Sequence, residues 1–356
     1  AKGFKLKSVI SGHGHEGPRN CCEWDSKTHT WYINGRELFR WNVWKDCGNN
    51  PIYPQGGTWP FDRAGWCPGT KVDEYNFELT PFVNPKDSIN LNYSIQKYFD
   101  DGEKNGTLRM SHQLISYGKP NFKNDVELVD IITPSSQNKH SRVNPTLSNP
   151  RIIIKNSGKY NLKTVEVHYG LKHNRKSVYQ WSGDLAFLEE EEVVLPIPSW
   201  RGLRKNQSFV VEAKHPNHQK DENIYNSFLT STVLLPKVFP QEFTLSIKTN
   251  NINRAQENSF TLSDINGTVF YTEDSFSDST EYNFQINLKK GSYQFLLKDD
   301  LEDGISKHWW YRNSAPEKVG INGEIKFITL NGDIIHEFKP DFGQELQLNF
   351  HVGRLP

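Results

Sequence analysis

The sequence THTWYINGRELFRWNVW, residues 28–44, contains the strongest indication of fold class in this chain. Apolar and aromatic residues alternate with polar ones on both sides of Asn34-Gly35, which is the period of a half-buried β-strand. Asn-Gly suits a type I′ turn, since both central positions of that turn need positive φ angles. His29 is interpreted as a buried, hydrogen-bonded core histidine. The pattern therefore predicts an antiparallel hairpin with strands at Thr28–Ile33 and Glu37–Trp44.

On either side of this hairpin the predicted structure becomes irregular before strands resume. Upstream, Phe4–Ser11 alternates as a strand, Gly12–Gly17 is a glycine-rich loop, and Cys21–Asp25 is strand-like. Downstream, Asp46–Gly69 is long and rich in glycine and proline, and such a loop in a compact domain usually serves a function. Further strands are predicted at Tyr75–Leu79, Ser88–Ile95 and Thr107–Tyr117. We expect these strands to complete a jelly-roll sandwich.

Two carboxylates in the segment before the hairpin are candidates for proton chemistry. If Cys21–Asp25 is a strand, Glu23 and Asp25 point to the same face, with Cα atoms about 6.5 Å apart. Carboxylates so placed can take acid and base roles once their environments differ. On the residue pattern alone, an exposed polar sheet face is the simpler interpretation.

The rest of the chain repeats the strand pattern. Runs rich in Val, Ile, Thr, Tyr and Phe are separated by clusters of Asn, Gly, Pro, Asp and Ser. A chain of 356 residues is too long for one ordinary core. We therefore predict an all-β protein with three domains: a jelly roll at 1–123, an immunoglobulin- or fibronectin-like sandwich at 124–237, and an accessory, binding-module-like sandwich at 238–356.

Composition excludes some classes of partner. The 42 basic and 42 acidic residues balance to a formal net charge of zero. This balance gives no reason to expect nucleic acid or an anionic membrane as a partner. No apolar run approaches the length of a membrane span. The four cysteines favour an oxidising compartment, so we expect a secreted, periplasmic or cell-surface protein.

Two acidic segments lie in the later part of the chain. Asp299–Gly304 is followed by the aromatic run Trp309–Tyr311. Its carboxylates could hold calcium and the aromatic rings could stack on sugar, but the spacing is not that of an EF-hand loop. An exposed acidic turn followed by core tryptophans is the favoured interpretation. The run Glu189–Glu192 is interpreted as a solvated turn rather than as a metal site.

Five short motifs crowd into the first part of the chain. They are Ser11-Gly12-x-Gly14-His15, Cys21-x-Glu23-Trp24, Thr28-His29-Thr30, Cys47-Gly48-x-Asn50-Pro51 and Asp62-Arg63-Ala64-Gly65-Trp66-Cys67-Pro68-Gly69. Together they resemble the C-terminal half of the bacterial peptide-N-glycosidase F family. Members of this family are amidases that release N-linked glycans by cleaving the asparagine side-chain amide. The likeness runs from about Lys5 to about Tyr117, roughly the first third of the chain.

This resemblance implies a hydrolase that uses neither a metal nor another cofactor and acts on N-glycosylated peptide or protein. Glu23 matches the catalytic glutamate of the family, and Arg63 matches an arginine that orients its catalytic aspartate. Asp25 stands where the family has a cysteine, so the resemblance gives it no role. The residues implied to bind substrate are His15, Trp59, Asp62 and Trp66.

The resemblance also bears on the cysteines. It implies a disulfide between Cys47 and Cys67, which would close the loop that carries Arg63. Cys21 and Cys22 stay open, because Asp25 replaces the family partner of Cys21. They could form a vicinal bridge, remain reduced, or pair outside this chain.

In the family, the principal catalytic aspartate lies in a preceding jelly-roll domain, and no segment of this chain resembles that domain. The chain begins at Ala1, almost directly in a strand-like run, and is interpreted as a processed or partial product. We therefore expect an upstream jelly-roll domain, cleaved or missing, as a partner that supplies the aspartate.

Two alternative functions come from other classes. The peptide-N-glycosidase fold is similar to that of type-2 copper monooxygenases, and His13, His15 and Met110 could supply the imidazoles and thioether that copper prefers. His13 stands where the glycosidase family has a tryptophan. The other alternative is a non-enzymatic array of sandwiches that binds glycan or protein.

Overall fold

The protein is described from a computed structural model. The structure describes residues 2–15, 21–55, 61–84, 86–98 and 106–356. The prediction of an all-β protein is confirmed, since strands in several antiparallel sheets make up the regular structure. In the part of the chain that is described, no helix has the length and apolar character needed to cross a membrane. The chain forms two compact units, Ala1–Lys119 and Pro120–Pro356.

The described residues of the first unit form two three-stranded antiparallel sheets. One has the order β4-β1-β6 and the other the order β3-β2-β5. A short 3-10 turn, Thr80–Phe82, follows β4. The strands are β1 (Gly3–His13), β2 (Lys27–Ile33), β3 (Arg36–Val43), β4 (Glu74–Glu78), β5 (Leu91–Ile95) and β6 (Thr107–Tyr117).

The predicted hairpin is present between β2 and β3. Asn34 and Gly35 form the turn with φ angles of 50° and 81°, as a type I′ turn requires. His29 is fully buried and its Nδ1 is hydrogen-bonded to the Tyr93 hydroxyl, which confirms its interpretation as a core residue. Trp31 from the same strand packs in the core of this unit. The hairpin thus leads from the sheet into the irregular segments that follow it, residues 46–55 and 61–69.

The segment Cys21–Asp25 is not a strand, so the prediction that Glu23 and Asp25 share one sheet face is wrong. The segment forms consecutive turns. The Glu23 amide donates to the Gly14 carbonyl, and the Glu23 carbonyl accepts from the Ala64 amide. Its backbone groups are therefore satisfied by two loops instead of by a neighbouring strand.

The second unit contains four sheets. Their orders are β10-β9-β12-β13, β11-β8-β7, β14-β22-β19-β16-β17 and β18-β15-β20-β21. All pairings are antiparallel except that of β14 with β22. The strands are β7 (Val126–Thr133), β8 (Arg151–Asn156), β9 (Leu162–Leu171), β10 (Ser177–Leu185), β11 (Glu190–Val194), β12 (Gln207–Lys214), β13 (Phe228–Val233), β14 (Lys237–Phe239), β15 (Glu242–Lys248), β16 (Asn258–Asp264), β17 (Val269–Glu273), β18 (Glu281–Asn287), β19 (Gly291–Asp299), β20 (Glu324–Ile328), β21 (Ile334–Glu337) and β22 (Glu345–Val352). Short 3-10 turns lie at Asn138–Val143, Pro216–His218, Ala255–Glu257, Trp309–Asn313 and Pro316–Lys318.

Two sets of buried side chains fill this unit. Strands β7 to β13 bury one set, including Tyr169 and Phe209. A group of phenylalanines fills the later strands, with Phe239 stacked on Phe350 at 4.4 Å between ring centroids. The Arg142 guanidinium donates to the Phe342 carbonyl and links the two parts. The two boundaries between the three predicted domains, and the sandwich types of those domains, stay predictions.

Both acidic segments differ from their sequence interpretation. Asp299 and Asp303 are 1% and 4% exposed, so the prediction of an exposed acidic turn is wrong for these two carboxylates. Gly304 has a φ of 71°, and a Cβ there would lie 2.6 Å from the Pro340 carbonyl oxygen, so this turn packs closely against the following chain. The tryptophans after it are not core residues, since Trp310 is 40% exposed. The other run is strand β11 instead of a turn, where Glu192 pairs with an arginine of β8.

Candidate functional site

Three segments of the first unit meet at the end of strand β1. The Gly12 amide donates to the Ala64 carbonyl at 2.9 Å. Arg63 and Lys45 exchange backbone hydrogen bonds of 2.7 and 3.1 Å, which fixes the loop against the end of β3. A Cβ on Gly12 would lie 1.8 Å from the Cys22 carbonyl oxygen, so only glycine permits this approach. The motifs that stand apart in the sequence are therefore brought together here.

Glu23 and Arg63 form an ion pair at this meeting point. The Arg63 Nε donates to Glu23 Oε1 at 3.2 Å, and the two side chains are 5% and 15% exposed. Arg63 Nη1 also donates to the Phe61 carbonyl at 3.0 Å. Burial lowers the pKa of Arg63 from its usual value, while Glu23 raises it. A guanidinium remains charged in such a site, so the pair offers a fixed positive charge beside a partly accessible carboxylate.

Aromatic rings surround the Arg63 guanidinium. Its central carbon lies 5.9 Å from the Trp24 ring and 5.5 Å from the Trp66 ring, both within the range of cation–π contact. Trp66 is held by a 2.8 Å hydrogen bond from its Nε1 to the Gly12 carbonyl. The His15 ring lies 4.9 Å from the Trp24 ring. The structure thus brings four of the predicted residues into one cluster centred on the Arg63 guanidinium: Glu23, Arg63, Trp66 and His15.

Trp24 is the residue of this site that sequence reasoning missed. It stands in the Cys21-x-Glu23-Trp24 motif, but the sequence predicts no function for it. In the structure it contacts Arg63, His15 and also Phe61, whose ring lies 5.7 Å away. Its position directly after the candidate catalytic glutamate was the available indication.

Asp62 lies at the margin of the cluster, where it shapes the loop. Its Oδ1 accepts a 2.9 Å hydrogen bond from the Cys47 amide. Burial raises the pKa of Asp62, and the nearby Asp46 adds to the rise. Arg63 forms its carboxylate hydrogen bond with Glu23. Asp62 therefore stabilises the loop through a backbone contact, and its predicted part in substrate binding stays a prediction.

Asp25 forms an ion pair of its own and does not share the partner of Glu23. It is buried and paired with Lys27, whose ammonium is also buried. A buried pair of this kind is strongly disrupted when one member is removed. The two carboxylates therefore occupy different environments, and Asp25 has a structural role in the first unit.

The cysteines lie in two pairs at disulfide distance. The Sγ atoms of Cys47 and Cys67 are 2.16 Å apart, and those of Cys21 and Cys22 are 2.02 Å apart. Cys47 and Cys67 were the implied pair, and they enclose the loop that carries Arg63. For the other two, the vicinal bridge is the alternative that the structure adopts.

The residues of the copper alternative are not brought together. Met110 lies opposite Ile10 and His13 lies opposite Thr107 in an uninterrupted β1–β6 register. Met110 and His13 are thus three positions apart along the ladder, and side chains separated by an odd number of positions point to opposite faces. This geometry does not favour a copper site with the Met110 thioether. Trp59 lies outside the described residues.

Comparison with known proteins supports the resemblance over the first unit. Residues 1–115 match the family described as "Peptide-N-glycosidase F, C terminal", so the predicted likeness is confirmed for this part of the chain. Over 108 residues the chain is 37% identical to peptide-N(4)-(N-acetyl-beta-D-glucosaminyl)asparagine amidase F of Elizabethkingia miricola. That match covers 27% of this chain and 29% of the relative. The chain thus spans less than a third of the relative's length.

Solved structures give weaker similarities. PNGase F, a glycosylasparaginase from Flavobacterium meningosepticum, is 31% identical over 32% of this chain and 39% of its own, with a TM-score of 0.30. A biofilm-associated protein BSP domain is 10% identical over 84% of this chain and 57% of its own, with a TM-score of 0.18. Scores this low carry no argument about fold or function, so the second unit is left without a domain type.

Proposed function

We propose that the first unit is one half of an amidase that hydrolyses the side-chain amide of glycosylated asparagine and thereby releases N-linked glycans. The observation that carries this proposal is the ion pair between Glu23 and Arg63 between two tryptophan rings. It lies in the part of the chain that matches the C-terminal region of peptide-N-glycosidase F. The family relation implies glycopeptide substrates in general, and this chain would act on that class.

The reaction has requirements that the cluster can meet in part. Water adds to the amide carbon, the bond from that carbon to the glycosylated nitrogen breaks, and the departing amine takes up a proton. Proton transfer and a stabilised charge are needed on the two sides of the amide. Glu23 would assist at the glycosylamine side. Arg63 would orient and charge-balance an aspartate supplied by another polypeptide segment.

The aromatic surroundings suit a carbohydrate. Sugar rings present C–H faces that pack on flat aromatic side chains, and the edges of the same sugars need polar partners. Trp66, Trp59 and His15 would shape the sugar cleft, with Asp62 at its margin. Trp24 would join them, because its ring lies between His15 and Arg63.

The wider assignment follows from the same proposal. We take the first unit to be a jelly roll and the second to be two sandwich modules, immunoglobulin- or fibronectin-like and then accessory. An upstream jelly-roll half would be the partner that supplies the aspartate. The protein would work outside the cytoplasm, as a secreted, periplasmic or cell-surface enzyme, and the two cysteine pairs at disulfide distance are consistent with that location.

The test is glycan release from a denatured glycopeptide in water enriched in heavy oxygen. The protein is used together with any upstream polypeptide that purifies with it. Amide hydrolysis converts the asparagine to an aspartate that carries solvent oxygen, so mass analysis of the peptide identifies the bond that was cut. We expect the heavy oxygen in the peptide and an intact core sugar on the released glycan.

The other outcomes separate the alternatives. A sugar left on the asparagine would show cleavage of a glycosidic bond and would contradict the amidase assignment. Glycan binding without release by the complete assembly would favour the non-enzymatic array. Activity that disappears on chelation and returns with copper would favour the monooxygenase class.

A further inference from the structure

A second buried group of charges lies in the second unit, away from the residues assigned to the amidase. Glu257 ends a 3-10 turn just before β16, Asp299 ends β19, and Asp303 follows in the next turn. One carboxylate oxygen of each lies within 4.8 Å of those of the other two. The Asp303 amide donates to Asp299 Oδ1 at 3.0 Å, which folds the turn back on the strand end.

The charge of this group is only partly balanced. Arg254 Nη2 donates to Asp303, and Arg254 Nε lies 3.4 Å from Glu257 Oε1. His308 Nε2 lies 2.7 Å from the other oxygen of Asp303. With all three carboxylates ionised and His308 neutral, the single guanidinium leaves two negative charges. A buried pair of uncompensated charges is expensive, so this group needs a further positive charge or protons.

Asp299 gives an independent indication of a ligand. Its side chain is buried, and among the described residues its Oδ2 has no hydrogen-bond donor. A buried carboxylate oxygen is nearly always paired in a folded protein, so an unpartnered one directed into an acidic group points to a bound species.

We propose that Glu257, Asp299 and Asp303 bind a divalent cation, with calcium as the preferred ion. Two oxygens that share a calcium ion at about 2.3 to 2.6 Å lie up to roughly 5 Å apart, which matches the spacing of the three carboxylates. The two excess negative charges match one divalent ion. Bound calcium would join the end of β19 to the start of β16 and stabilise the turn that follows β19.

The type of ligand atom indicates which ion the site prefers. The three ligands are carboxylates, without a cysteine among them, and hard oxygen ligands favour calcium or magnesium over zinc or copper. Calcium accepts irregular sets of ligands and completes its coordination with carbonyls and water. Magnesium demands near-ideal octahedral geometry, which three carboxylates crowded by Arg254 do not provide.

The test measures the thermal unfolding of chelator-treated protein with added calcium or magnesium. Calcium at about a hundredfold excess over its Kd should raise the unfolding temperature of the second unit by about 5 °C or more. Titration calorimetry should give one calcium per chain, and magnesium should give a smaller shift. Asp299→Asn should abolish the calcium shift. This variant is expected to fold, because asparagine keeps an oxygen that can accept from the Asp303 amide and removes a buried charge that makes no ion pair with Arg254.

Asp300→Asn is the matched control, since Asp300 is its exposed neighbour in the same turn and is not one of the three ligands. The control should keep the full calcium response. Glu257→Gln provides a second variant that should lose it. No calcium-dependent shift in the unmodified protein would overturn the proposal, and so would a shift that Asp299→Asn and Glu257→Gln both retain.

Discussion

Each unit of the molecule contains a buried arginine among carboxylates, and the two groups are balanced differently. In the first unit Arg63 faces Glu23 and two aromatic rings. In the second, Arg254 faces Glu257 and Asp303, with Asp299 close by. The first group is balanced one charge to one, whereas the second holds an excess of negative charge.

The difference teaches what each arginine can do. The Glu23 side chain is 15% exposed, so a substrate can approach it. The other neighbours of Arg63 described above are aromatic rings. The group around Arg254 is nearly closed to solvent, and three carboxylates occupy the space where a substrate would have to bind. This difference is why we propose chemistry for the first group and ion binding for the second.

The largest expected effect is on stability, when each arginine is replaced by methionine. Arg254→Met leaves three carboxylates buried with no guanidinium, and breaking a buried pair costs about 3 to 5 kcal/mol. Arg63→Met leaves only the partly exposed Glu23, so its cost should lie at the lower end or below. Calorimetry of both variants would measure the difference. Arg151→Met serves as a control, because Arg151 forms an exposed pair with Glu192 and its loss should cost less than about 1 kcal/mol.

A slightly smaller effect is expected at the loop that carries Arg63. Cys47 and Cys67 lie 20 residues apart in the sequence, and a disulfide that closes a loop of this size contributes about 3 kcal/mol. Replacing both residues by serine should destabilise the first unit by that amount and leave the calcium response of the second unchanged. Peptide mapping without reduction should find the two cysteines linked. If both cysteines can be alkylated in the native protein, they are not bridged and the disulfide does not constrain the loop.

Acid should produce the smallest effect, which is expected at His29 in the first unit. Burial lowers the pKa of His29 to about 4, below the usual value near 6.5. The unfolded chain therefore binds a proton more readily between these values, and stability falls as the pH falls through that window. The expected loss from this residue is about 2 kcal/mol between pH 7 and pH 5. His29→Gln should flatten this part of the pH profile, and an unchanged slope would mean that another group titrates.

Local pattern predicted the parts of the fold that depend on neighbouring residues. Asn34-Gly35 predicted its hairpin because the turn chemistry is contained in two positions. The turns at Cys21–Asp25 were missed, because their backbone partners, Gly14 and Ala64, come from loops whose placement the local sequence does not encode. The same limit applies to Asp299, which looked exposed because its burial depends on packing against Glu257 and its neighbours, about forty positions earlier in the chain.

The candidate site was predicted through a resemblance and then refined by geometry. Motif matching identified Glu23 and Arg63, but the two are forty positions apart and nothing in their spacing predicts contact. Their pairing comes from the close approach of Gly12 to Cys22 and from the Arg63 backbone bridge to Lys45. The contacts of Trp24 with His15 and Arg63 likewise form only when these segments are assembled.

The most direct test of the central claim compares two glutamates of the first unit that both pair with arginine. Glu23 pairs with buried Arg63, and Glu37 forms an exposed pair with Arg40 on β3. Glutamine replaces each in turn, and the initial rate of glycan release is measured in the complete assembly at a temperature where calorimetry shows both variants folded. Glu23→Gln should lower the rate at least about a hundredfold, because a carboxylate in proton transfer is worth roughly two to four orders of magnitude. Glu37→Gln should keep the rate of the unmodified protein. A folded Glu23→Gln variant that retains full activity would contradict the account.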